Sequence, residues 1–122
     1  MYAKKLYPQQ HTTPSGNYVY FYAIAEQVMA HLVCSIVGHL AIIESQAELD
    51  QLNRTGTFWV DMNDINAEGT WVSSFTGGAS FTSWDVNQGQ GGTNENCGAK
   101  TENNGTMGDF PCAMAFAYIC EI

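Results

Sequence analysis

Trp84-Asp85-Val86-Asn87-Gln88-Gly89-Gln90-Gly91-Gly92-Thr93-Asn94-Glu95-Asn96-Cys97, running on to Asp109-Phe110-Pro111-Cys112, is the stretch around which this chain is organised. It is dense in Asn, Gln, Gly and acid, and it holds two of the four cysteines. A segment of that composition carries too little apolar surface to bury a core of its own. It requires a scaffold beneath it, and it offers side-chain oxygens to something outside. The rest of the sequence has the marks of that scaffold.

The chain has 122 residues, 45% of them hydrophobic and 12% aromatic, which suits one globular domain with a modest core. Its net charge is −8, and only Lys4, Lys5, Arg54 and Lys100 are basic. Nucleic acid and anionic membrane surfaces both demand clustered Lys and Arg, so neither is an expected partner. No apolar run is long enough for membrane insertion as a helix. The acidity serves solubility, and it also suits calcium or cationic partners. Cys34, Cys97, Cys112 and Cys120 include no C-x-x-C pair and have no His close in sequence to complete a zinc spacing. An even count in a small Gly- and Asn-rich domain reads as two disulfides from an oxidising compartment, with three pairings open. Two acceptor triplets, Asn53-Arg54-Thr55 and Asn104-Gly105-Thr106, agree with a secreted, extracellular protein. The opening Met1-Tyr2-Ala3-Lys4-Lys5 has no apolar signal core, so the chain reads as a mature domain.

In chain order, residues 1–17 carry Pro8, Pro14 and Gly16 and read as an N-terminal arm, with the domain proper at 18–122. Tyr18-Val19-Tyr20-Phe21-Tyr22 is a short strand by its aromatic and β-branched content. Ile24, Val28, Leu32 and Ile36 recur every four residues. They predict a helix with a core-facing apolar stripe, and Glu26, Gln27 and Ala30 outward. Cys34 sits on that helix and Gly38 stops it. His39-Leu40-Ala41-Ile42-Ile43 is a second strand. Ser45-Gln46-Ala47-Glu48 is a capping box opening a second helix that runs to about Asn53. Phe58-Trp59-Val60-Asp61-Met62 and Trp71-Val72-Ser73-Ser74-Phe75 read as strands, and residues 113–122 as a closing strand pair. Helices in the first half and strands in the second give an α+β class. Trp59, Trp71 and Trp84 read as core, the last beneath the polar segment; His31 and His39 read as structural. No G-x-S-x-G element or glycine-rich phosphate loop is present, so an enzyme is not expected.

These residues together resemble a C-type lectin-like domain from Tyr18 to Ile122. Gly38-His39-Leu40-Ala41 followed by Ile43-Glu44-Ser45-Gln46-Ala47-Glu48 is similar to that family's passage into its second helix. Phe58-Trp59-Val60-Asp61-Met62 resembles its Trp-Ile-Gly-Leu strand, with Asp61 in place of Gly. Glu68-Gly69-Thr70-Trp71, Phe81-Thr82-Ser83-Trp84, Asn94-Glu95-Asn96-Cys97 and Ile119-Cys120-Glu121 complete the likeness. The resemblance implies two helices packed on short antiparallel strands with a long irregular loop. It also implies the short two-disulfide form, paired Cys34–Cys120 and Cys97–Cys112.

For function, the resemblance implies a glycan or protein ligand held at the long loop, with calcium as the cofactor. Sugar-binding members grip one calcium with a Glu-Pro-Asn or Gln-Pro-Asp triplet, a Glu and a Trp-Asn-Asp triplet, because calcium takes six to eight oxygens. Here the first triplet falls on Asn87-Gln88-Gly89 or Gln88-Gly89-Gln90, without proline, and the second on Met107-Gly108-Asp109. The implied ligand-binding residues are Asn87, Gln88, Gln90, Glu95, Asn96 and Asp109. An auxiliary calcium site maps onto Asp64, Glu68, Gln90, Glu95 and Asn96. The expected metal donors are therefore Asp64, Glu68, Glu95, Asn96 and Asp109, a set thinned at both triplets. A calcium-independent protein-binding module, or a structural one acting on mineral, ice or matrix, is the alternative that the thinning invites.

Overall fold

The computed structural model describes residues 7–86, 88–89 and 94–122. Strand β1 (Gln9–Thr13) forms a hairpin with β2 (Gly16–Ala25), with Gln9 opposite Tyr20. β2 runs antiparallel to β7 (Phe116–Glu121), and the two-residue β3 (His39–Leu40) also pairs with β7. β4 (Phe58–Asn63) lies parallel to β7 and antiparallel to β5 (Cys97–Lys100), which pairs with β6 (Met107–Phe110). The result is one seven-stranded sheet in the order β1-β2-β7-β4-β5-β6, with β3 beside β7. The parallel β4–β7 pair makes the sheet mixed where antiparallel strands were expected. Two helices, α1 (Gln27–Cys34) and α2 (Gln46–Gln51), complete the α+β architecture.

β4 is buried at all six positions, so its side chains divide between two cores by strand alternation. Phe58, Val60 and Met62 join Tyr18, Tyr20, Leu49, Leu52, Trp71, Met107 and Ile119 on one side. Trp59 joins Ala30, Cys34, Leu40, Tyr118 and Cys120 on the other. The disulfides are Cys34–Cys120 and Cys97–Cys112, as the resemblance implied. The first ties α1 to the central strand β7, and the second closes the segment that carries β6. At α2 the Ser45 hydroxyl accepts the Glu48 N–H at 3.1 Å. The Glu48 carboxylate reaches back to the Glu44 N–H at 2.8 Å and also accepts from the buried Tyr18 hydroxyl. The capping box is therefore also a tether between α2 and β2.

The expected orientation of the first helix is inverted. Ile24 belongs to β2, and Ile24, Val28, Leu32 and Ile36 are 68%, 72%, 62% and 81% exposed. Gln27, Ala30 and Cys34 face the interior instead. Two fixed points set this rotation. Cys34 must reach Cys120, and Gln27 Nε2 donates to the backbone carbonyls of Val60 at 2.9 Å and Met62 at 3.1 Å on β4. The covalent bond forbids the opposite roll, and the donation to two buried carbonyls adds to it, so the aliphatic stripe is left outside. Gly38 serves close packing, because a Cβ there would lie 2.0 Å from the Glu121 carbonyl oxygen.

Several other elements are shorter than the sequence suggested. The strand at 39–43 contracts to β3, α2 ends at Gln51, and the pair expected at 113–122 is the single strand β7. Residues 71–75 are not a strand; only Val72 makes bridges, to Asn63 and Ala79. The cause is Asp61. Its buried carboxylate accepts from Ser73 Oγ at 2.7 Å, Ser74 N at 2.9 Å and Phe75 N at 3.1 Å, which folds the segment into a turn. Lys100 is wholly buried, and its Nζ donates to the carbonyls of Arg54 at 2.7 Å and Thr101 at 2.9 Å. Burial pulls its amine down to about 8, with Glu102 opposing the fall.

Candidate ligand loop and its oxygen donors

The entry to the loop is stitched to the edge of β6. Met107 N donates to the Ser83 carbonyl at 2.7 Å, and Asp85 N donates to the Met107 carbonyl at 2.8 Å. Trp84 lies edge-on to Trp71 with ring centroids 5.0 Å apart, partly buried against the core rather than within it as expected. Gly89, at φ +84°, rides over the Trp84 indole; a Cβ there would come within 2.7 Å of the ring. Only glycine fits that backbone and that contact together.

The structure brings Gln88 and Asp109 together, as the two-triplet reading requires, but each side chain is engaged by a backbone N–H of the facing segment. Gln88 Oε1 accepts the Asp109 N–H at 3.1 Å, and Asp109 Oδ1 accepts the Gly89 N–H at 2.8 Å. Asp109 is only 2% exposed. Gly108, where the sugar-binding pattern has Asn, is needed for this arrangement. A Cβ at 108 would stand 2.9 Å from Gln88 Oε1 and 2.8 Å from the Phe110 ring. Met107 in the Trp position is fully buried core. Asn87 and Gln90 lie outside the described residues.

The auxiliary donors sit at the end of β4. Asp64 is 2% exposed, and its N–H donates to the Asn96 carbonyl at 3.1 Å, which places half-buried Asn96 beside it. Asp64 Oδ2 accepts the Gly69 N–H at 2.8 Å, whereas its Oδ1 is buried with no hydrogen-bond partner. Glu68 is surface-exposed. Its carboxyl is raised above the usual range by slight desolvation first, then by the Asp64 carboxylate, a hydrogen bond with Asp64 and the Asp109 carboxylate. Three of the five expected metal donors thus share one electrostatic neighbourhood. A cation would answer both the orphaned oxygen and the mutual repulsion, so the residues fit a calcium ion in character. Among the described residues, however, no group of three or more His, Cys, Asp or Glu is arranged to hold a metal ion. Glu95 is half-buried on the approach to β5.

Two features escaped the sequence reading. Asp85 anchors the loop base, its carboxylate accepting from Asn103 Nδ2 at 2.7 Å and Val86 N at 2.8 Å. These bonds, with Asn103 first, hold its carboxyl below the usual range. An acid immediately after Trp84 at the mouth of a polar loop was the available signal. The other is His31, whose Nε2 lies 3.6 Å from Asp61 Oδ1 in a half-buried contact. Burial lowers the imidazole from its ordinary value, and Asp61 opposes that fall. Nothing in the spacing of residues 31 and 61 announces the pair.

The described residues thus form a disulfide-tied mixed sheet with a polar loop entering and leaving beside β6. The Lectin C-type domain model matches residues 28–122, and the chain belongs to that family. An α-N-acetylgalactosamine-specific lectin from Patiria pectinifera is 30% identical over 98 residues, covering 70% of this chain; the chain spans 58% of that protein's length. Among solved structures, the C-type lectin CEL-I from Cucumaria echinata aligns with a TM-score of 0.79 at 20% identity, over 92% of this chain and 93% of that one. A calcium-independent type II antifreeze protein aligns with a TM-score of 0.78 at 20% identity, over 94% and 90%. At those identities the two structures speak for the fold alone. No helix of the described residues is long and apolar enough to cross a membrane.

Proposed function

We propose that this domain is a secreted, non-catalytic recognition module that binds a glycan or glycoprotein at its long-loop face by direct hydrogen bonding, without a calcium ion bridging the sugar. One observation carries the reading. The Asp109 carboxylate and the Gln88 amide, which a bridging calcium would require as ligands, are each engaged by a backbone N–H, Asp109 Oδ1 by that of Gly89 and Gln88 Oε1 by that of Asp109. These two bonds hold Gln88 and Gly89 against β6 without help from a metal, and a face fixed in advance lowers the entropic cost of binding. Two disulfides in a small domain support an extracellular setting. The Patiria lectin, named for N-acetylgalactosamine, makes a glycan the first ligand class to try.

Calcium keeps a narrower place in this reading. Asp64 and Glu68, with Asn96 beside Asp64 and Glu95 next to Asn96 in sequence, are the residues that would hold it, and its service there would be to steady the loop. The test is a glycan array run with millimolar calcium and again in chelator. Signal that persists in chelator, with at most a few-fold loss, supports the proposal. Signal abolished by chelator and absent in Glu95→Ala refutes it in favour of calcium-bridged sugar. A protein ligand bound with no glycan signal in either condition also refutes it and leaves the protein-binding alternative.

A further inference from the structure

We propose that the solvent-facing side of α1 is a self-association surface through which two copies of this chain pair about a two-fold axis. Ile24, Val28, Met29, Leu32, Ile36 and Val37 are 68%, 72%, 49%, 62%, 81% and 43% exposed. Single exposed aliphatics are ordinary, but six within residues 24–37 form a patch of the kind that marks an interface. The helix cannot roll to bury them, because Cys34 is bonded to Cys120 and Gln27 is held by the β4 carbonyls.

The occupant follows from charge, area and shape. The stretch 24–37 contains one acid, Glu26, and no Lys or Arg, in a chain of net charge −8. Two copies meeting here bring only one carboxylate each, Glu26, so electrostatic repulsion across this face is small for so acidic a chain. A basic partner would find no charge to recognise on this face. Each such aliphatic side chain carries on the order of 100 Å² of apolar surface, so the exposed parts of six give roughly 400 Å² per copy. Ile65, 61% exposed, and Met114, 42% exposed, extend the patch beyond the helix. A pair would then bury about 1,000 Å² in total, the lower bound for a specific interface. The surface also supplies a recess. Glu26, Val28 and His31 on the helix side, with Ile65, Ser74 and Ala113 opposite, are among the residues that line a cleft of about 360 Å³. A stripe and a recess on the same patch are self-complementary, as an isologous contact requires. Among the described residues, the loop positions Gln88 and Gly89 do not belong to the patch.

Sedimentation equilibrium of the purified chain between about 10 µM and 1 mM tests this, since an interface of this size is expected to dissociate in the micromolar range. The expected result is a concentration-dependent shift from 13.4 kDa toward twice that mass. Leu32→Glu and Val28→Glu should each weaken the dimer at least tenfold, with far-UV circular dichroism and melting temperature unchanged, because neither side chain contributes to the core. Should either Glu variant lose its fold, Leu32→Ser replaces it, with the same loss of dimer expected. A wild-type mass of 13.4 kDa at every concentration overturns the proposal. So does a dimer that all of these variants leave intact.

Discussion

Replacing Asp109 by Ala should open the loop locally without unfolding the domain. The carboxylate accepts the Gly89 N–H at 2.8 Å in a nearly fully buried setting, a charge-assisted bond with little water to replace it. Such a bond is worth about 2 kcal/mol, so the Gly89 amide should exchange about 30-fold faster in Asp109→Ala. Asp109→Asn keeps a neutral acceptor and should lose about half as much, a roughly fivefold acceleration. Amide exchange by NMR reads both, with β4 amides such as Val60 as the unchanged reference. If the loop face is preorganised, glycan affinity should fall by no more than the same ~30-fold, equally in calcium and in chelator, because the ligand must now restore the order that Asp109 provided. Gly89 exchange within about twofold of wild type would refute the bracing role. A loss of binding confined to calcium-containing buffer would refute the direct-readout chemistry.

Other outcomes follow from the same bonds. Asp61→Ala leaves Ser73, Ser74 and Phe75 without their acceptor and should cost about 3 kcal/mol in urea unfolding, a large part of the stability of a small domain; a change below about 0.5 kcal/mol would show that water replaces the carboxylate. Lys100 has an ordinary value of 10.5 but about 8 when folded, so between those values the unfolded chain binds the extra proton and stability rises with pH. The melting temperature should therefore climb from pH 8 toward pH 10 and Lys100→Met should flatten that climb. Above pH 10 the trend should reverse, because Tyr18 and Tyr20 are pushed up, chiefly by burial, and keep their protons in the fold. Reduction should unfold or loosen the domain, since chain entropy assigns at most about 4.6 kcal/mol to the Cys34–Cys120 closure and about 3 kcal/mol to Cys97–Cys112; an unchanged melting temperature in reductant would count against it.

The family likeness was legible in the sequence because it rests on local chemistry. Gly69 and the Glu-Gly-x-Trp turn, the Ser45 cap with its Glu48 partner, the apolar β4 run and the cysteine positions each act within a few residues of themselves. The disulfide pairing came through the likeness, not through spacing, and the structure carries it. The polar loop was legible as a loop for a similar reason: its composition leaves it nothing to bury.

Tertiary structure decided what local pattern left degenerate. The sequence offers one apolar stripe at 24, 28, 32 and 36, of which only Val28 and Leu32 lie on the helix, and a second inward set at 27, 30 and 34, and periodicity favoured the greasier one. The choice went the other way because the Cys34–Cys120 bond fixes which face of the helix meets the sheet, and Gln27 then satisfies the buried β4 carbonyls. The 71–75 segment had strand composition, yet a carboxylate ten residues earlier captured its N–H groups. At the candidate site, sequence supplied Gln88 and Asp109 as calcium donors, and only the fold revealed that Gly108 lets them turn toward each other. Residue types and short spacings therefore fixed the family and the scaffold. The direction each donor faces is a property of long-range contacts, and it was settled by the packing of β6 against the loop.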